Sequence, residues 1–163
     1  MAAAALRVRR GTRRDVPTIV AMIRGLAEYE RLLRHVEITP ARVRRHGFGR
    51  RPYFETLICR HGRRPVGFAL YFFTYSTFLG RPSLYLEDLF VLPDARGRGA
   101  GQALLRALAR IARARGCGRM EWTVLDWNAP AIRFYKRIGA RLHQEWILTR
   151  LKGAPLTRLA RSR

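Results

Sequence analysis

The sequence predicts an α/β fold: a mixed sheet whose elements run β-α-α-β-β-β-α-β-α-β, in one domain over residues 1–152 followed by a basic tail over 153–163. Three observations carry this expectation. Runs of β-branched and aromatic residues alternate with turn residues. Separate stretches place apolar side chains at helical spacing. One of those helices follows a strand through a glycine-rich turn, so a crossover joins strands late in the chain while hairpins dominate early.

Leu6 to Arg10 reads as the first strand. Thr12 or Asp15 can cap the helix that follows, Pro17 is tolerated in its first turn, and Ile19, Met22, Ile23, Leu26 and Ala27 form its apolar stripe. Thr39-Pro40 opens a shorter helix through Arg45, closed by Gly47. Tyr53 to Arg60 and Pro65 to Tyr75 form a hairpin around His61–Arg64, and Leu84 to Leu92 is a third long strand stopped by Pro93. After Gly101, Leu104, Leu105, Leu108 and Ile111 share a helix face, and Gly116 ends that helix. Met120 to Leu125 is read as a strand, Asn128 to Arg137 as a helix ended by Gly139, and Arg141 to Leu151 as a last strand interrupted near His143-Gln144.

Composition limits the function classes. The chain is 48% hydrophobic, enough for a real core. Lys136 and Lys152 are the only lysines, so arginine supplies nearly all of a formal net charge of +22. Such a charge permits binding to nucleic acid or suits a polyanionic cofactor. The arginines are spread, with clusters at Arg42–Arg51 and Arg60–Arg64, a pattern closer to a solvated surface than to a nucleic-acid groove. Cys59 and Cys117 lie far apart without ligand spacing, so no metal is expected. In residues 1–14 the apolar run precedes the charges, unlike a secretory signal. No stretch is long enough to span a membrane as a helix. A cytoplasmic protein is expected.

The chemistry concentrates in Leu84–Ala114. There an apolar strand runs through Arg96-Gly97-Arg98-Gly99-Ala100-Gly101 into an amphipathic helix. Glycines let backbone N–H groups approach anionic oxygens, and the helix start adds unsatisfied donors and a positive dipole end. A ligand carrying a pyrophosphate follows. An RGRG run also occurs in disordered RNA-binding segments, but those lack periodic flanks, and both flanks here are periodic.

Within the preceding strand stand two adjacent carboxylates. Strict alternation puts Leu86, Asp88, Phe90 and Leu92 on one face and Tyr85, Glu87, Leu89 and Val91 on the other. Each carboxylate then sits among apolar neighbours, where an unpaired charge is costly. A salt bridge to an arginine, a bulge or a functional cleft would each account for them. Further on, Asn128 is a good N-cap, Pro130 fits the first turn, and Tyr135 taken alone is an amphipathic edge residue. The four histidines, His35, His46, His61 and His143, lie near element ends and form no triad with a nucleophile.

These residues resemble the GNAT N-acetyltransferase superfamily. Arg96–Gly101 after a strand is similar to its R-x-x-G-x-G/A acetyl-CoA signature, and Asn128–Tyr135 to its second motif. The likeness narrows to the spermidine/spermine and thialysine acetyltransferase group through Leu26–Glu30, Gly47-Phe48-Gly49, Tyr71–Tyr75, Tyr85–Asp88 and Asp126-Trp127-Asn128. It implies the GNAT acyl-CoA N-acyltransferase fold, acetyl-CoA as co-substrate, a small-molecule primary amine as acceptor and a homodimer.

The resemblance also implies roles. Backbone groups of Leu89, Phe90 and Val91 hold the pantetheine arm like an added strand. Gly97, Arg98, Gly99, Ala100, Gly101 and Gln102 hold the pyrophosphate, with Arg96 adjacent, and Asn128, Ala129, Pro130 and Ala131 contact the cofactor. Tyr135 protonates the departing thiolate, and Glu87 helps to deprotonate the amine through water. Tyr29, Glu30, Glu121, Trp122 and Thr123 line the amine site together with Glu87. An unperturbed alkyl amine has a pKa near ~10.4, so it must lose a proton before it attacks. Polyamine members of the group carry Asp where Ser76 stands and acidic residues where Arg31–Arg34 stand. A short diamine or a lysine-like amino acid therefore fits better than a long polycation. Two alternatives stay open: acetylation of a protein amine, and a non-catalytic nucleic-acid or ribosome-associated module on the same fold.

Overall fold

The computed structural model describes residues 5–162; the reading of the first four residues as no part of a signal lies outside them. The chain divides into two compact units, Met1–Thr123 and Val124–Arg163.

The first unit is built on a five-stranded sheet in the order β1-β2-β3-β4-β5. Its strands are β1 (Leu6–Arg10), β2 (Glu55–His61), β3 (Arg64–Ser76), β4 (Arg81–Val91) and β5 (Arg119–Glu121). The first four pair antiparallel, and β4 pairs parallel with β5. Three helices cover the sheet: α1 (Val16–Tyr29), α2 (Pro40–Phe48) and α3 (Ala100–Ala114). The mixed α/β sheet expected from the sequence is present.

Side-chain alternation explains the layering. Ile58, Phe68, Leu70 and Phe90 form one core with Val16, Ile19 and Met22 of α1 and Val43 of α2. Helix α3 covers the sheet through its own apolar stripe, with Leu104 and Leu108 fully buried. Each such buried side chain contributes about 1.5–3 kcal/mol. The start of α1 is held by Asp15. Its carboxylate accepts both Arg9 guanidinium nitrogens at 2.7 Å and the Thr12 N–H and hydroxyl at 2.8 Å, which closes a capping box.

Two sequence expectations need correction in this unit. The first concerns β5, which spans three residues rather than running to Leu125. The second is the strict alternation along β4. Leu70 pairs with Asp88 but Tyr71 pairs with Leu86, so Glu87 is an extra residue, a β-bulge. Residues opposite one another share a face. Asp88 therefore lies with Leu70 on the α1 side, and Leu86 lies with Tyr71 on the other.

The second unit contains α4 (Ala129–Arg137) and α5 (Ala154–Arg161), so the tail is helical. Asn128 caps α4: its side-chain oxygen accepts the Ala131 N–H at 3.4 Å. The strand expected over residues 141–151 does not form; a turn interrupts otherwise irregular chain. A strand needs a ladder partner, and none pairs with this segment among the described residues. Trp146, Ile147 and Leu148 along it are exposed.

Candidate active site

The bulge in β4 is the centre of the site. A bulge re-aims a side chain by breaking the ladder locally, and here it leaves Glu87 exposed next to the more sheltered Asp88. Glu30, at the C-terminal end of α1, completes an acidic corner. The Asp88 carboxyl is pushed up from the ordinary 3.8 to about 7, by burial first, then by the Glu87 charge, then by Glu30. Burial likewise raises Glu30. No ion pair involves Glu30, Glu87 or Asp88 among the described residues, so the salt-bridge account of the two carboxylates fails.

This arrangement has a thermodynamic sign. Asp88 in the folded chain holds its proton between pH 3.8 and about 7, where the unfolded chain has lost it. Ionising Asp88 therefore costs stability as pH rises through that window. A carboxyl titrating near neutrality beside a second carboxylate can accept a proton from a bound ammonium. Sequence reasoning noted Asp88 but assigned proton handling to Glu87 alone; the sequence signal was the adjacent pair, with a bulge among the accounts left open, and the missing information was the register that locates the bulge at Glu87.

Next to this corner β4 offers an open edge. Its β5-side ladder covers only Ser83–Tyr85, opposite Arg119–Glu121. From Leu86 onward no strand pairs with that edge among the described residues, so an extended ligand arm has room along Leu89–Val91. The Leu92 N–H bonds the Val66 carbonyl on the β3 side at 2.9 Å, so by alternation the main-chain groups of Leu89 and Val91 face the open edge and those of Phe90 face β3. On its other edge the same stretch is paired with β3 through Gly67, Phe68 and Ala69.

The glycine turn follows. Gly97 and Gly99 take φ of 74° and 84°, the left-handed region that favours glycine, and a Cβ on Gly97 would meet nothing within 4 Å. The first bond of α3 runs from the Ala103 N–H to the Gly99 carbonyl at 2.9 Å. The N–H groups of Ala100, Gly101 and Gln102 thus precede the helix's own bonding and point out of its positive end. Strand edge, turn and helix start fit an acyl donor whose arm lies against the strand and whose pyrophosphate lies at the helix.

The remaining candidates fall into place unevenly. Arg96 is exposed and reaches back along β4: its Nε donates to the Val91 carbonyl at 3.1 Å, and its guanidinium lies 4.6 Å from the Tyr29 ring centroid and 5.7 Å from that of Phe90. It clamps the turn to β4 and to the end of α1. Glu121 is paired with Arg119 at 3.1 Å, and Trp122 and Thr123 follow it past the end of β5. Glu30 and Glu87 are brought together; Glu121 sits opposite Tyr85 in the neighbouring strand. Ser76 is buried, and its Oγ accepts the Leu79 N–H at 3.3 Å, so it serves the β3–β4 turn. Asn128, Ala129, Pro130, Ala131 and Tyr135 belong to the second unit, on and before α4, with Tyr135 half-buried.

Residues 21–140, which include the bulge, the open edge, the turn and α4, match the Acetyltransferase (GNAT) family. The chain belongs to that family. This GNAT acetyltransferase is 38% identical to the mouse (Mus musculus) thialysine N-epsilon-acetyltransferase over 168 residues, covering 96% of this chain and 98% of the relative. A shorter match, 46% identical over 91 residues, covers 56% of this chain and 40% of the L-ornithine N5-acetyltransferase of Arabidopsis thaliana. Among solved structures, an integron cassette protein from V. cholerae superposes with a TM-score of 0.79 at 26% identity, covering 96% of this chain and 98% of that one. GNAT enzymes take acetyl-CoA as co-substrate. No described helix is long and apolar enough to cross a membrane.

Proposed function

We propose that this GNAT acetyltransferase moves an acetyl group from acetyl-CoA to the side-chain amine of a short, lysine-like amino acid or diamine. The observation that carries the reading is the acidic corner at the β4 bulge. Acetyl-CoA supplies an activated acyl thioester. The backbone of Leu89–Val91 orients its arm, and the amides of Ala100–Gln102 receive its pyrophosphate, with Gly97 and Gly99 shaping the turn. A main-chain N–H near Leu89 donates to the acyl oxygen as charge develops.

Glu30, Glu87 and Asp88 attract a cationic amine to this end of the sheet. Glu87, exposed on the bulge, takes the ammonium proton through water, and Asp88 tunes and shares that proton at neutral pH. Tyr29 and Glu121–Thr123 contribute to the amine pocket. The family resemblance assigns Asn128–Ala131 a cofactor contact and Tyr135 the protonation of the departing thiolate. Supporting a lysine-like acceptor are the thialysine and ornithine enzymes among the relatives and the buried Ser76, which offers no second carboxylate for a longer polycation. A cytoplasmic homodimer completes the proposal.

Thiol release from acetyl-CoA across an amine panel tests this. Lysine-like amines and short diamines are expected to turn over well ahead of spermine and of peptide amines. Tyr135→Phe is expected to lower kcat by about 10²–10⁴ while acetyl-CoA still binds. No turnover with any small amine would contradict the proposal.

A further inference from the structure

Far from the acidic corner, at the other end of α1, the structure holds a cleft of about 630 Å³. Nine residues line it; five are arginines, Arg13, Arg44, Arg45, Arg50 and Arg51, and none is acidic. That volume lies within the roughly 300–1,000 Å³ range of small-ligand sites. It is formed where α2 ends. Gly49 terminates the helix in extended backbone, and a Cβ there would collide with the Arg45 carbonyl oxygen. The chain turns back tightly, the Tyr53 N–H donates to the His46 carbonyl at 2.7 Å, and Arg50 and Arg51 come round against Arg44 and Arg45. Arg13 closes the far side, its Nη2 donating to the Phe48 carbonyl at 3.1 Å.

Arg9, Arg10, Arg42, Arg64, Arg115 and Arg119 each reach a carboxylate elsewhere in the molecule. None of the five cleft arginines forms an ion pair among the described residues. All five are exposed, and five guanidinium groups round one opening raise the local positive potential, which draws an anion there. Guanidinium forks match phosphate oxygens two at a time. One side of the opening also offers an aromatic face: Tyr53 is 76% exposed, with His46 edge-on to its ring at 5.5 Å.

We propose that this cleft binds a nucleoside polyphosphate, its phosphates among Arg13, Arg44, Arg45, Arg50 and Arg51 and its base stacked on Tyr53. Clustered charge selects a compact ligand with several phosphates on one chain; a phosphodiester strand spreads one charge per nucleotide. The site is independent of acetyl transfer. Helix α1, 14 residues and about 21 Å long at ~1.5 Å per residue, runs between Arg13 before its start and Glu30 at its end.

The test is calorimetric titration of ATP, and separately of tripolyphosphate, into the full chain saturated with CoA so that the glycine turn is occupied. One saturable site is expected for each ligand. Arg44→Glu with Arg50→Glu is expected to weaken both by about tenfold or more. The charge-matched Arg158→Glu with Arg161→Glu is expected to leave both unchanged, and Tyr53→Ala to weaken ATP but not tripolyphosphate. Acetyl transfer without added nucleotide is expected to be unaffected by the cleft variants. Three results would overturn the proposal: no saturable binding, equal losses in both charge-reversed variants, or tighter binding of a uridine oligonucleotide than of ATP. If CoA itself fails to bind, the acetyl-transfer reading falls, while the cleft variants still decide this one.

Discussion

At the C-terminal end of α1, Glu30, Glu87 and Asp88 crowd together in a chain of net charge +22, and among the described residues no arginine forms an ion pair with them. Near its N-terminal end, five arginines line one cleft with no carboxylate among the lining residues. Both groupings keep like charges close and leave the opposite charge out; for the three carboxylates this holds in a chain with 33 basic residues against 11 acidic ones. The Arg9–Asp15 pair shows the alternative. There a carboxylate takes a bidentate guanidinium and two capping hydrogen bonds, its pKa falls well below the usual range, and the result is local structure. The comparison teaches that in an arginine-rich chain it is the unneutralised clusters that point to ligands: a cationic amine at one end and a phosphate-rich anion at the other.

The largest expected effect comes from breaking the cofactor turn on which the acidic end depends. Gly99 has φ of 84°, so Gly99→Val strains a conformation that costs a non-glycine residue about 1–3 kcal/mol, and it displaces the amides that begin α3. Acetyl-CoA affinity measured by calorimetry is expected to fall by about tenfold or more, while ATP binding at the cleft persists. Loss of both would show that the two ends are not separate sites.

A smaller effect calibrates the paired charges against the unpaired ones. Asp15→Asn removes a carboxylate whose pKa is depressed mainly by Arg9. It is expected to cost about 0.5–2 kcal/mol at pH 7 in denaturant melts. The stabilisation from such a group is present above its unfolded pKa and lost as pH falls through the folded one, so the difference from the parent should shrink in strong acid. A difference that stays constant from pH 7 down to pH 1 would contradict the assigned role.

Much of this was legible in the sequence because it is written in local pattern. The order of elements from β1 to α4, the glycine turn and the capping of α4 by Asn128 follow from neighbouring residues. What was not legible depends on distant partners. Alternation placed Leu86 and Asp88 on one face, and only pairing with Leu70 and Tyr71 reveals the bulge that separates them. Arg96 read as adjacent to the phosphate turn; that its guanidinium also lies over Tyr29 and Phe90 is something no spacing rule shows. The stretch Arg141–Leu151 has strand-like composition but no ladder to join. The Arg42–Arg51 cluster read as a solvated surface and its arginines are exposed, but nothing local shows that Gly49 turns the chain back on itself beside Arg13.

The central claim is that the carboxylates at the β4 bulge take the proton from the amine. The most direct measurement is kcat for acetyl transfer to a lysine-like amine from pH 5.5 to 9, for the parent, Asp88→Asn and Glu87→Gln. The parent rate is expected to rise with pH through about 7, where Asp88 loses its proton. Asp88→Asn is expected to abolish that limb. Glu87→Gln is expected to lower the rate most at low pH and, by removing the like charge that raises Asp88, to move the limb to lower pH. Three superimposable profiles would contradict the account.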